Sequence, residues 1–88
     1  MEITIDCGLI EDRTGFHETV AKALNFPAWY GGNLDALHDC LTDIHTETRI
    51  RFQNWEAMEA EMAGFSAGAK KAILHAAFAN PLVSVTFL

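Results

Sequence analysis

The sequence predicts a two-layer α/β fold: a three-stranded parallel sheet with about four helices packed mainly on one face. Three observations predict it. Segments 2–7, 48–53 and 82–88 alternate apolar and polar side chains, the period-two mark of a half-buried strand. Stretches with helical spacing separate them, so the connections are crossovers and the strands run parallel. Parallel sheets covered on both faces read as continuous apolar runs, whereas these strands alternate, which leaves one face for helices and the other for water.

The first strand places Ile3, Ile5 and Cys7 inward, and Gly8 opens a loop. Thr14 is the expected cap of a first helix that carries Phe16, Val20, Ala23 and Leu24 on one side and ends near Asn25, ahead of Pro27. The loop 28–32 follows, and Asn33 caps a second helix over 33–44 with Leu34, Leu37, Leu41 and Ile44 inward. In the second strand Ile50 and Phe52 point inward and Arg49 and Arg51 outward. Asn54 is a candidate cap for a short third helix with Trp55, Met58 and Met62 inward, stopped by Gly64. Ser66 would cap a fourth helix built around Ile73, Leu74, Ala77 and Phe78, and Asn80-Pro81 ends it before Val83, Val85 and Phe87 of the last strand.

A chain of 88 residues is expected to form a single domain, residues 1–88. Half of the residues are apolar and 20% are charged, so a core can fill without a metal or disulfide staple and a disordered chain is excluded. No run approaches the ~20 apolar residues of a membrane span. Six Lys and Arg against 12 Asp and Glu give a formal charge of −6, which repels phosphate backbones and makes a basic protein the natural partner instead of nucleic acid. The start, Met1 to Asp6, lacks the positive charge and apolar stretch of a secretion signal, so a cytoplasmic location is expected. Cys7 and Cys40 lack C-x-x-C spacing and read as buried reduced thiols.

The second helix concentrates whatever chemistry the chain has. At 100° per residue its apolar positions fall within about 80° of one another, while Asp35, Asp39 and Asp43 step down the other side. Between residues 23 and 48 there are four carboxylates and no Lys or Arg. Each like-charge pair four apart costs an isolated helix roughly 0.2–0.5 kcal/mol. The macrodipole favours Asp35 but opposes Asp43, so local stability does not explain the row. A solvated face is one reading of the stripe; a docking surface is the other. Trp29 and Tyr30, immediately before the helix, either pack over the core or reach outward as interface anchors. His38 borders the acidic face, where it can meet a partner or pair with Asp35. Asp35, His38, Asp39 and His45 match no ligand motif, so neither a metal nor another cofactor is expected. Exposed helix carboxylates act as fixed charges and not as proton donors, and no Ser/His/Asp order or phosphate loop is present, so the chain is not expected to be an enzyme.

The run Pro27-Ala28-Trp29-Tyr30-Gly31-Gly32-Asn33-Leu34-Asp35-Ala36-Leu37-His38-Asp39-Cys40-Leu41 resembles the signature of the barstar family of bacterial ribonuclease inhibitors. Beyond residues 24–42 the likeness is one of pattern and length. The resemblance implies an intracellular inhibitor or immunity protein that plugs the active site of a basic, guanine-preferring ribonuclease or related toxin, probing it with the second helix and its preceding loop. Asp39 would occupy the enzyme's phosphate position, Asp35 the adjoining basic wall, and Trp29, where the family often has tyrosine, would stack on an imidazole. Tyr30, Asn33, Leu34, Ala36 and Thr42 would line the contact. A monomer when free and a 1:1 heterodimer when bound are implied. His38 stands where the best-known member has tryptophan, Ala76 where it has a contacting glutamate, and Asn80 removes a nearby charge, while Asp43 lengthens the acidic row. The rival reading is a non-catalytic regulatory module of the same fold that binds a different basic protein.

Overall fold

The computed structural model describes residues 1–88, with β1 (Glu2–Asp6), α1 (Arg13–Leu24), α2 (Leu34–Thr42), β2 (Thr48–Gln53), α3 (Trp55–Glu61), α4 (Ala63–Ala79) and β3 (Val83–Phe87) in chain order. The strands form one parallel sheet in the order β1-β2-β3. Thr48, Ile50 and Phe52 of the central strand are buried, in register with Ile3 and Ile5 on one side and with Val83, Val85 and Phe87 on the other. The alternate residues, among them Thr4, Arg51 and Thr86, are exposed. The helices therefore cover one face, as the alternation of the strands requires. No helix is long and apolar enough to cross a membrane.

Several element ends differ from the sequence expectation for identifiable reasons. The cap of α1 is Asp12, not Thr14: Asp12 is extended and its Oδ1 accepts from the Gly15 N–H at 2.7 Å, a bond that a carboxylate makes as well as a hydroxyl and two residues earlier. Asn25, at φ 54°, closes the same helix in the left-handed conformation. Asn54 also has positive φ and makes no capping bond with its side chain, which instead donates to Asp6 Oδ1 at 2.9 Å. Gly64 does not end α3. The break falls at Met62 (φ −141°, ψ 64°), the joint between α3 and α4. Ser66 consequently lies inside α4, and its hydroxyl donates to the Ala63 carbonyl at 3.0 Å.

The largest correction concerns which side of α4 is buried. Ser66, Ala69, Ile73 and Ala76 face the core, whereas Leu74 is exposed and Phe78 is 93% exposed. The expectation holds for Ile73 and Ala77 but not for Leu74 and Phe78, because α4 packs close against α2 through small residues. A Cβ added at Gly68 would meet Leu34 Cδ1 at 3.3 Å. Leu34 and His38 of α2 lie beside Gly68 and His75 of α4 in the same order, so the two helices run parallel.

Asn80 is buried and ties the far end of α2 in place. Its amide nitrogen donates toward the carbonyls of Leu41, Thr42 and Ile44 at 3.0, 3.3 and 3.1 Å, and its oxygen accepts from the Leu82 N–H at 3.0 Å. These carbonyls lie at or just past a helix end, where no intrahelical donor remains. Asn80 is thus a structural clamp and not a partner-facing position stripped of charge. Asn80→Ala should lower unfolding stability by roughly 2 kcal/mol, measured as a lower urea midpoint at unchanged slope; an unchanged midpoint would show that the clamp contributes nothing.

Candidate functional site

The site is built on α2 and the loop that feeds it. Asn33 is extended (φ −135°, ψ 170°), and its Oδ1 accepts from the Ala36 N–H at 2.8 Å, the expected cap. Gly32, at φ 65°, lets the chain turn into that cap without a Cβ clash. Leu37, Cys40 and Leu41 anchor the helix in the core, and the helix ends at Thr42 with Asp43 as its C-cap. Ile44, expected as the last helical residue, lies beyond the end yet still packs half-buried against the core.

The opposite face carries the acids. Asp35, Asp39 and Asp43 are exposed, and the Asp39 side chain is 80% accessible. The only ion pairs within 4.0 Å in the chain join Arg51 to Glu2 and the imidazole of His38 to Asp39 (3.7 Å), so no Lys or Arg is paired with the row. The effect reaches the core side of the helix. Burial first, then the charges of Asp43 and Asp39, push the Cys40 thiol up, while burial and Asp6 push Cys7 up to about 11. Both cysteines are free and buried, as the sequence implied, and sit there as protonated thiols.

The two rings of the preceding loop part company. Trp29 is 73% exposed and walls a shallow hollow with Leu24, Phe26, Cys40, Asp43 and Ile44. Tyr30 is half-buried, its ring 5.0 Å from that of Phe26 and its hydroxyl 2.6 Å from Nδ1 of the buried His17. Burial raises the phenol to about 12, so it keeps its proton, and burial also lowers His17 below its ordinary 6.5, so a neutral hydroxyl meets a neutral imidazole. Tyr30 therefore braces the loop on α1, with only part of the ring available to a partner.

Of the other candidate residues, Leu34 and Ala36 are half-buried along the flanks of α2, and Thr42 donates its hydroxyl to the Asp39 carbonyl at 2.9 Å. Asn33 spends its side-chain oxygen on the cap, which leaves its amide nitrogen as the group available to a partner. His38 pairs with His75 of α4 instead of Asp35, Nε2 to Nδ1 at 2.8 Å. Ala76 is fully buried in the core cluster and cannot touch a partner. Two exposed α4 residues, Lys71 and His75, line a hollow with Asp35, and His75 is the one hydrogen-bonded to α2. Helical phase would have found it, since 73 and 76 share the buried side and 75 does not. No group of three or more His, Cys, Asp or Glu side chains converges as metal ligands would.

Fold and site together define a small α/β protein that offers a charged helix and an exposed ring as a projecting surface instead of a cleft. Residues 1–80 match the family model described as Barstar (barnase inhibitor), and the chain belongs to the Barstar family. It is also 46% identical over 41 residues to the Bacillus subtilis (strain 168) protein named "Putative ribonuclease inhibitor YrdF", a match covering 47% of this chain and 45% of that protein.

The His17–Tyr30 brace has a pH signature. Below pH 6.5 the unfolded imidazole takes up a proton that the buried one resists, so stability falls as the pH drops from 6.5 toward the depressed folded value. Urea unfolding at several pH values should show this slope, reduced in His17→Asn; identical slopes in parent and variant would show that His17 titrates freely in the fold.

Proposed function

We propose that this chain is a cytoplasmic, non-catalytic inhibitor that binds one molecule of a basic, guanine-preferring microbial ribonuclease or related toxin and covers its active site. The description of the family as barnase inhibitor and the name of the Bacillus relative support the coarse part of this reading, inhibition of a ribonuclease. The observation that carries the finer part is the pair Asp35 and Asp39: one helical turn apart, exposed, and without a Lys or Arg of their own. A ribonuclease must gather cations around its substrate's phosphates, and two carboxylates on a rigid helix are complementary to such a site at low cost in rotor entropy.

Asp39 is the central anchor in this proposal and Asp35 binds the neighbouring cations. Trp29 supplies an exposed face for stacking on an enzyme ring. Asn33, Leu34, Ala36, His38, Thr42 and the accessible part of Tyr30 close the rim, and Asp43 extends the negative charge toward the hollow beside Trp29. Since the inhibitor repels RNA, it competes for the enzyme and has no need to touch the nucleic acid. The row of uncompensated charge also speeds encounter with a basic enzyme, an effect that salt screens.

Barnase is the direct probe. Asp39→Ala should weaken inhibition by at least about 30-fold, the ~2 kcal/mol that separates a hot spot from its surroundings; the barnase–barstar pair is itself a standard example of such a spot. Glu2→Ala, the same loss of charge on the open face of the sheet, should change it less than about threefold. Association should slow at high salt. Equal inhibition by both variants would remove Asp39 from the interface.

A further inference from the structure

The seam between α2 and α4 holds an arrangement that phosphate mimicry does not use. His38 Nε2 and His75 Nδ1 are 2.8 Å apart, with ring centroids separated by 5.0 Å and planes inclined by 33°. One hydrogen therefore lies between the two nitrogens. Which ring supplies it follows from the other side of His38, where Nδ1 is 3.7 Å from Asp39 Oδ1. An N–H directed at a carboxylate is favourable and a lone pair directed at one is not, so His38 carries its hydrogen on Nδ1. Nε2 of His38 is then the acceptor and Nδ1–H of His75 the donor. That leaves Nε2 of His75 with an open lone pair on an exposed ring that makes no other hydrogen bond in the chain. The sequence Asp39, His38, His75 thus selects a tautomer through successive contacts, as outer partners do for the imidazoles of metal sites.

Two further charged groups face the pair across the hollow over the seam: Asp35 from α2 and Lys71 from α4. The remaining walls are apolar or glycine. The pair therefore sits between the acidic row and α4, and Asp35 and His75 line one hollow.

We infer that His75 is an additional partner-binding residue, whose Nε2 accepts a hydrogen bond from a cationic donor of the basic ribonuclease while the pair is neutral. This inference rests on the ribonuclease-inhibitor reading. Protonation of Nε2 converts the acceptor into a donor and places positive charge against the positive wall of the enzyme. A second proton puts hydrogens on both facing nitrogens, which cannot stay 2.8 Å apart, and the link across the seam opens. Both steps oppose a basic partner. By reciprocity, a basic partner expels protons from the pair, so capture weakens on acidification.

The test is calorimetric titration with barnase at about pH 7.5 and about pH 5.5, at fixed ionic strength, for the parent and His75→Gln. Glutamine keeps an amide oxygen near the position of Nε2 but takes up no proton. The parent should lose roughly three- to tenfold more affinity on acidification than the variant. In buffers of different ionisation enthalpy, it should also release more protons on binding at the lower pH. Titrating groups of barnase contribute equally to both proteins and cancel in the comparison. The same pH dependence in parent and His75→Gln overturns the role of His75 and leaves the inhibitor reading standing. Absence of binding by the parent at both pH values overturns the ribonuclease reading and this inference with it.

Discussion

Everything presented by α2 depends on how the two ends of that helix are held. At nine residues α2 is too short to persist alone in water, and its exposed side is a row of like charges. Asn33 satisfies an orphan N–H at the start, and the Asn80 amide reaches three carbonyls at and beyond the finish. Between these two amides, Leu37, Cys40 and Leu41 press the helix into the core. Neutral groups do all of the holding. The carboxylates are left with no internal duty, which is the condition for them to act on something else.

The alternative, letting Lys or Arg quench the row, would stabilise α2 and ruin it as a charge display. Natural proteins often retain such locally unfavourable features where function lies and compensate for them elsewhere. Here the compensation lies in α4. Its small buried residues allow close approach to α2, and its continuation into Asn80 locks the helix end. A rigid support also keeps the side chains from having to order on binding, so the electrostatic gain is not lost to entropy.

The parts of this design that repeat with a period were legible in the sequence. Strand alternation gave the sheet, its one-sided cover and the inward residues of β2, and the apolar spacing from Leu34 to Leu41 gave the core face of α2 with Asn33 as its cap. The outward position of Asp35 and Asp39 followed from the same phase, whereas for Trp29, in the loop before the helix, the sequence allows both packing over the core and reaching outward. What escaped was decided by neighbours distant in sequence. The buried face of α4 is set by proximity to α2 and not by side-chain bulk, so Leu74 and Phe78 misled. Asn80 resembled a helix stop because its acceptors lie 36 to 39 residues away. Phase alone would have put His75 on the exposed side of α4, but its place beside α2 comes from the parallel packing of the two helices.

The most direct measurement is a crystal structure of the complex with barnase. Fixed charges replacing a phosphate require the Asp39 carboxylate to sit inside the enzyme's active site, accepting hydrogen bonds of about 2.7–2.9 Å from arginine or lysine, with Trp29 against an enzyme side chain. A complex in which α2 faces solvent and the enzyme rests on the open face of the sheet would contradict it.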